Sequence, residues 1–498
     1  MAKDAKTLRG HRKIKTDVVI VGAGAGGAAS AAELAKKGLS VVILEEGHRY
    51  RPNEFPASYG WAINHLYAER GTRIVEGDAY YPLPAGRGVG GSTLINSAIC
   101  YRAPDAVLDA WASTGLEGLA PENLAPIYAY VERTTGVTEM HPLQARANNL
   151  FIKRGAEALG LDGRFVHRNA PGCVGCGICY LGCPSGGKGS VDRNFIPIAE
   201  DHGAEVCADC KVARILTKDG RAVGVEARVV DNETHEEVGR LTVEADAVLL
   251  AAGTVGTPLL LLAQDLANRS DQVGRNLAIH PAVGTYGMVD DAINSWDGVP
   301  QAYAIQLEKG VLLQTYNAPP EVFFTTQPWS GVDGMRKMRM LKNIAMCGGL
   351  VSDQSNGRVQ PGRHGKAKVT YALSTRDRNR LIRALRGIVR VLFAAGATEV
   401  YPGIGDGEVW AKTENEALAP LTPKVREREM NIYASHPMGT CRMGVDPKNS
   451  VVSPSGETHD VPGLWVADAS LMPTSLGVNP QMTVMSMAIH VARNLAAA

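Results

Sequence analysis

Residues 16–47 read TDVVIVGAGAGGAASAAELAKKGLSVVILEEG, and this stretch decides the fold. DVVIV is an apolar run of strand length, rich in β-branched side chains. Gly22, Gly24 and Gly27 follow at G-x-G-x-x-G spacing, and an alanine-rich segment to Lys37 has helical composition with Gly38 as its stop. SVVILE is a second buried strand that ends in Glu45. Each residue type has a physical reason. Gly22 permits the tight turn, Gly24 lets a pyrophosphate approach the backbone, and Gly27 lets the helix pack on the strand. The helix N-terminus offers free N–H groups to phosphates, and Glu45 can accept from ribose hydroxyls. The stretch therefore predicts an adenine dinucleotide on a Rossmann-type βαβ unit. It does not separate FAD from NAD.

The remaining bounds fit a large globular chain. It has 498 residues, 45% hydrophobic and 21% charged, which is two or three domains of ordinary composition. The formal net charge is +1 and no long basic run occurs, so no nucleic acid is expected as a partner. The longest apolar stretch, AVLLAAGTVGTPLLLLA from Ala247, is too short to span a bilayer and contains Gly253, Gly256 and Pro258, so it reads as strand, turn and helix start. The charged N-terminus has no apolar signal region, which makes the cytoplasm the default location.

A second motif sits oddly in such a chain. Residues 172–184, GCVGCGICYLGCP, place Cys173, Cys176, Cys179 and Cys183 at C-x2-C-x2-C-x3-C-P spacing. That is the run that holds iron–sulfur clusters in bacterial ferredoxins. In the reducing default compartment such a group points to metal or redox chemistry rather than disulfides. Three readings stand: an iron–sulfur cluster of the 3Fe–4S or 4Fe–4S type, a structural zinc site, or thiols that brace a loop. Zinc favours two knuckles separated by a longer loop, which this crowding strains. Cys207 and Cys210, in CADC, would add a ligand if the fold brought them near.

Further segments carry a family resemblance. They are GGSTLIN from Gly90, AAGTVGTPLLLL with VGRNLAIH, and the closing HPMGTCRMG and VADASLMPTSLGVNPQMT. With the N-terminal fingerprint, they make the chain resemble the glucose–methanol–choline (GMC) oxidoreductases, FAD-dependent alcohol oxidases and dehydrogenases, from end to end in the family's order. The stretch from about 286 to 428 carries no such motif. The resemblance implies that Gly22, Gly24, Gly27 and Glu45 hold the ADP half of FAD. It implies that Gly90, Gly91, Ser92 and Asn96 line the pyrophosphate and flavin, that the Val212 backbone meets adenine, and that Asp468, Ala469, Gln481 and Met482 flank the ribityl chain and pyrimidine. Ile95 stands where some relatives carry a flavin-linked histidine, so FAD is expected to be non-covalent. His436 matches the catalytic histidine and Asn479 its partner, while His280 reads as structural.

The expected architecture is α/β: a discontinuous FAD-binding domain (1–120, 186–285 and 430–498), a cysteine-rich insertion and linker (121–185), and a substrate domain with a sheet covered by helices (286–429). The expected function is FAD-dependent dehydrogenation of an alcohol CH–OH group by hydride transfer to flavin N5 with a histidine base. Electrons would leave through the cluster to a cytochrome, quinone or partner subunit, and such a partner would permit a periplasmic location. The rivals are an oxygen-using alcohol oxidase, a flavin-containing lyase and a non-catalytic electron-transfer subunit. YAIQLEKGVLLQTYNAPPEVFFTTQPW, residues 303–329, is apolar enough for a lipid, steroid or aryl alcohol.

Overall fold

Strand β1 (Gly10–Val21) is exposed where it begins and buried from Val18 to Val21, because only its C-terminal half runs under helices. Each of those buried valines and isoleucines contributes about 1.5–3 kcal/mol of apolar burial. These features come from a computed structural model that describes residues 3–326, 329, 331–354, 356–407 and 409–498.

The first sheet is the nucleotide-binding one. Strand β1 pairs in parallel with β2 (Val41–Leu44) on one side and with Glu237–Leu250 on the other. Glu205–Cys207 extends the sheet beyond β2, also in parallel. The early half of Glu237–Leu250 pairs with an antiparallel hairpin, and its end pairs in parallel with Leu464–Val466. Helix α1 (Ala25–Lys36) joins β1 to β2 and packs on the closing helix Gln481–Leu495. Nine of its twelve residues are buried, eight of them glycine, alanine or serine, which is what allows so close a seat. A Cβ on Gly27 would lie 2.0 Å from the Gly22 carbonyl oxygen, so the third glycine of the fingerprint is fixed by packing alone.

The second sheet is antiparallel. Ala282–Met288 pairs with Ile344–Val351, Glu399–Tyr401 and Ile432–Tyr433. Ile344–Val351 pairs on with Val311–Thr315, then Tyr303–Glu308, then Gly163–Phe165. The long helix Thr375–Ala394, N-capped by the Ser374 hydroxyl, covers one face together with Pro142–Ala158. Leu313 joins the core under that helix, and its neighbour Gln314 projects to the opposite face, toward the nucleotide-binding sheet. The sheet draws Gly163–Phe165 from the segment expected to be an insertion and Ile432–Tyr433 from a segment expected in the FAD-binding part. Of the apolar stretch 303–329, residues 327 and 328 lie outside the described residues. No helix among the described residues is long and apolar enough to cross a membrane.

Candidate active site

Three chain segments far apart in sequence meet where the two sheets face each other. His436 follows Ile432–Tyr433, Asn479 precedes the closing helix, and Gln314 comes from Val311–Thr315. Asn479 Nδ2 lies 3.1 Å from His436 Nε2. An amide nitrogen can only donate, so His436 Nε2 accepts and its proton is on Nδ1. The amide orientation is itself set by a one-way chain. Ser97 Oγ donates to Gln301 Oε1. Gln301 Nε2 donates to Gln314 Oε1 at 3.3 Å, and Gln314 Nε2 donates to Asn479 Oδ1 at 2.8 Å. Each donor in that chain fixes the acceptor end of the next residue, and the chain ends on the lone pair of His436 Nε2.

His280 stands edge-on to His436, with ring centroids 5.4 Å apart. Its Nε2 accepts from the Gly477 N–H at 2.8 Å, and its buried Nδ1 meets no partner among the described residues. Burial pushes both imidazoles down to about 3, with the nearby His280 adding to the effect on His436. Both rings are therefore neutral at physiological pH, and His436 offers an unprotonated nitrogen.

The segments expected to hold FAD converge beside this pair. Glu45 closes β2; its Oε2 accepts from the Ala23 N–H at 2.9 Å, and its Oε1 from Gly47 at 2.9 Å and Gly88 at 3.0 Å. Burial raises the Glu45 carboxyl to about 7. The second glycine loop is tied to the first, since the Gly90 N–H donates to the Ala23 carbonyl at 2.9 Å and a Cβ on Gly91 would meet Gly24 Cα at 2.7 Å. Ser92 Oγ accepts from the Gly86 N–H at 2.9 Å. Asn96 Nδ2 donates to Gln481 Oε1 at 3.0 Å, while Gln481 Nε2 donates to the Ile99 carbonyl at 2.6 Å. Asp468 caps the helix Gly253–Leu262, accepting from the Gly253 N–H at 2.8 Å and from Thr257 Oγ1 at 2.6 Å. Ala469 accepts from the Gly439 N–H, next to the HPMG turn, and Met482 is buried at the start of the closing helix. Val212 is buried on Cys210–Lys218.

Gly24 tests whether this cradle suits a dinucleotide. It is the N-cap of α1, no side chain caps that terminus, and the atom nearest to a Cβ built on it is 3.9 Å away. Gly22 and Gly27 are crowded by backbone at 2.4 and 2.0 Å, but Gly24 faces open space at a helix N-terminus. That is the arrangement a pyrophosphate requires. The residues present fit FAD.

The cysteine run behaves differently from expectation in one respect. Among the described residues no group of three or more His, Cys, Asp or Glu is gathered tightly enough for a metal ion. Cys173, Cys176, Cys179 and Cys183 therefore do not gather round a single metal ion as expected, and a guanidinium lies between two of them. Arg168 Nη1 and Nη2 each lie 3.6 Å from a sulfur, those of Cys173 and Cys179. All four thiols are free and all four line one cavity with Arg168 and Lys188. Cys207 and Cys210 do not line it. They flank Glu45, whose N–H donates to the Cys207 carbonyl and whose carbonyl accepts from the Cys210 N–H. Sequence reasoning had no signal for Gln301 or Gln314, and it set His280 aside as structural.

Comparison with known proteins completes the picture. The GMC oxidoreductase family models match residues 11–282 and 352–488. An uncharacterised GMC-type oxidoreductase of Mycobacterium tuberculosis is 37% identical over 484 residues, 96% of this chain and 75% of that one. Long-chain-alcohol oxidase FAO3 of Arabidopsis thaliana is 31% identical over 519 residues, covering 97% and 68%. The crystal structure of pyridoxine 4-oxidase from Mesorbium loti superposes with a TM-score of 0.70 at 19% identity, covering 96% and 98%, which supports the fold. With a dinucleotide cradle at one end of the site and a neutral histidine at the other, the chain belongs to the GMC oxidoreductases, a family of FAD-binding oxidoreductases.

Proposed function

We propose that this protein oxidises the CH–OH group of an apolar alcohol, with His436 taking the hydroxyl proton and Asn479 holding the oxygen. The observation that carries this reading is the one-way hydrogen-bond chain that leaves His436 Nε2 as an unprotonated acceptor. An alcohol hydroxyl entering between the two side chains donates to His436 Nε2 and accepts from Asn479 Nδ2. As the proton passes to the imidazole, the amide N–H steadies the negative charge that grows on oxygen. FAD, when bound by Gly22, Gly24, Gly27, Glu45, Gly90, Gly91, Ser92, Asn96, Val212, Asp468, Ala469, Gln481 and Met482, supplies the acceptor for the hydride from carbon.

An apolar substrate is supported by the relatives named as long-chain-alcohol oxidases and cholesterol oxidase.

Two routes return the two electrons. Oxygen takes both in the oxidase reading, which the oxidase names of the relatives favour. In the dehydrogenase reading they leave singly through an iron–sulfur cluster to a one-electron carrier such as a cytochrome. The cavity lined by all four cysteines of the ferredoxin-like run favours this second route. Cluster ligands ring a core of several atoms rather than meet at one ion, so spread thiols fit a cluster better than zinc.

Anaerobic mixing of the FAD-loaded protein with long-chain, sterol and aryl alcohols tests the reading. Bleaching of the flavin by at least one class is expected, slowed ~10²–10⁴-fold in His436→Ala. An unchanged rate in that variant removes His436 from the chemistry. No bleaching by any class leaves the lyase and electron-transfer alternatives.

A further inference from the structure

Two cations are buried beside the cysteine run without an acid to pair with. Arg168 is 3% exposed and Lys188 is 4% exposed. Among the described residues neither makes an ion pair with a carboxylate, although the charge of Asp192 bears on Lys188. Their donors go to neutral acceptors instead. Arg168 Nε and Nη2 donate to the Ser97 carbonyl at 3.1 and 2.9 Å. Lys188 Nζ donates to the carbonyls of Leu94, Asn96 and Cys179 at 2.7, 3.0 and 3.1 Å. A buried charge left with carbonyls alone keeps most of its desolvation penalty. Besides Asp192, the negative charge that bears on Lys188 comes from the sulfurs of Cys179 and Cys183, and Arg168 touches those of Cys173 and Cys179.

The sulfurs are placed to supply it. Arg168 spans Cys173 and Cys179, the Gly175 N–H reaches Cys173 Sγ at 3.4 Å, and the Lys188 N–H reaches Cys183 Sγ at 3.3 Å. Hydrogen bonds to sulfur and nearby charge are what tune a thiolate-held cluster. An oxidised cluster is dianionic whether four thiolates hold a four-iron core or three hold a three-iron core. Two buried cations match that charge.

We infer that Arg168 and Lys188 are the built-in counter-charge of a dianionic iron–sulfur cluster held by Cys173, Cys176, Cys179 and Cys183. This rests on the cluster reading given above and adds the groups that make the site electrically possible. It also explains why both cations reach back to the 94–97 segment. Asn96 and Ser97 belong to the flavin-side loop and to the chain that orients Asn479, so the same two side chains lock the cluster loop against the active site.

The test uses the full chain, purified anaerobically, with iron and acid-labile sulfide assays, EPR and a redox titration. Roughly three or four irons per wild-type chain are expected. Arg168→Gln and Lys188→Met should lose cluster to a mild chelator ~10-fold more readily. Any cluster they keep should titrate at a lower potential, because a lost positive charge disfavours the added electron. Arg168→Lys and Lys188→Arg keep the charge and should stay near wild type in potential, and they serve if the neutral variants do not fold. FAD content reports folding in each. A wild-type protein free of iron and sulfide, or one that carries zinc, overturns the cluster reading itself. A wild-type cluster whose retention and potential are the same in the neutral variants overturns the counter-charge assignment alone. Charge-keeping variants with a shifted potential and lost cluster also overturn it.

Discussion

Asn479 Nδ2 donates a hydrogen bond to His436 Nε2 at 3.1 Å while its oxygen is held by Gln314 Nε2 at 2.8 Å. The amide cannot turn over without breaking both bonds. This fixes two things at once: the base is the unprotonated nitrogen of a neutral histidine, and a hydrogen-bond donor already faces the place where an alkoxide would form.

Replacing Asn479 with alanine should therefore slow anaerobic flavin reduction ~10²–10³-fold at saturating alcohol, as for loss of one oxyanion donor. FAD content should be unchanged, because the side chain hydrogen-bonds to Gln314 and His436 and to none of the cradle residues. Stopped-flow flavin bleaching measures this. A loss confined to substrate affinity would mean that the amide binds the alcohol but does not assist the transfer.

Gln314 acts one step further out. Gln314→Leu removes the donor that holds Asn479 Oδ1. With ~1 kcal/mol of orienting hydrogen bond gone, kcat should fall roughly 5–10-fold with little change in KM. Gln314→Glu should be worse, since a carboxylate cannot donate to Asn479. Equal effects of the two variants would count against an orienting role.

The contrast between these two residues shows what the sequence made legible. His436 and Asn479 sit in the short segments HPMGT and GVNPQ, so a linear reading reaches them. Gln301 and Gln314 do not. They come from a loop and an antiparallel strand with no local signature, and their role exists only because sheet register turns Gln314 away from the helix that buries Leu313. The same holds at the cysteines. The spacing of four thiols was plain, whereas Arg168 and Lys188 look like ordinary surface cations until the fold buries them. The boundaries between parts of the chain were also hidden, because strands such as Gly163–Phe165 and Ile432–Tyr433 are too short to show a period.

The two histidines make stability depend on pH. His280 and His436 titrate at about 3 in the folded protein against about 6.5 when unfolded. The unfolded state thus binds more protons between those values, and stability is full above 6.5 and lost as the pH falls toward 3. Each group adds a slope of up to about 1.4 kcal/mol per pH unit inside that window. The Tm should drop as the pH falls from 6.5 to 4, and less steeply in His280→Gln. An equal slope in that variant would show that His280 does not stay neutral on folding.

The fingerprint glycines should separate into two kinds. Gly24 has φ −78°, ψ −166°, a conformation alanine adopts freely, and nothing within 3.9 Å of its missing Cβ. Gly24→Ala should leave the melting of the FAD-free protein within about 1 kcal/mol of wild type, the scale of an N-cap change. It should nevertheless strip FAD, because the new methyl group enters the space at the helix N-terminus where the pyrophosphate would lie. Gly26 is the opposite case. Its Cβ would be 1.8 Å from the Ala467 carbonyl oxygen, a backbone atom that holds the VADAS segment in place. Gly26→Ala should cost ~3 kcal/mol or more with or without FAD, since α1 must move off its seat. Thermal melts of both variants, with and without FAD, and their flavin absorbance decide the matter. If Gly24→Ala keeps its FAD while melting as low as Gly26→Ala, the space at Gly24 is a packing feature and the dinucleotide is held elsewhere.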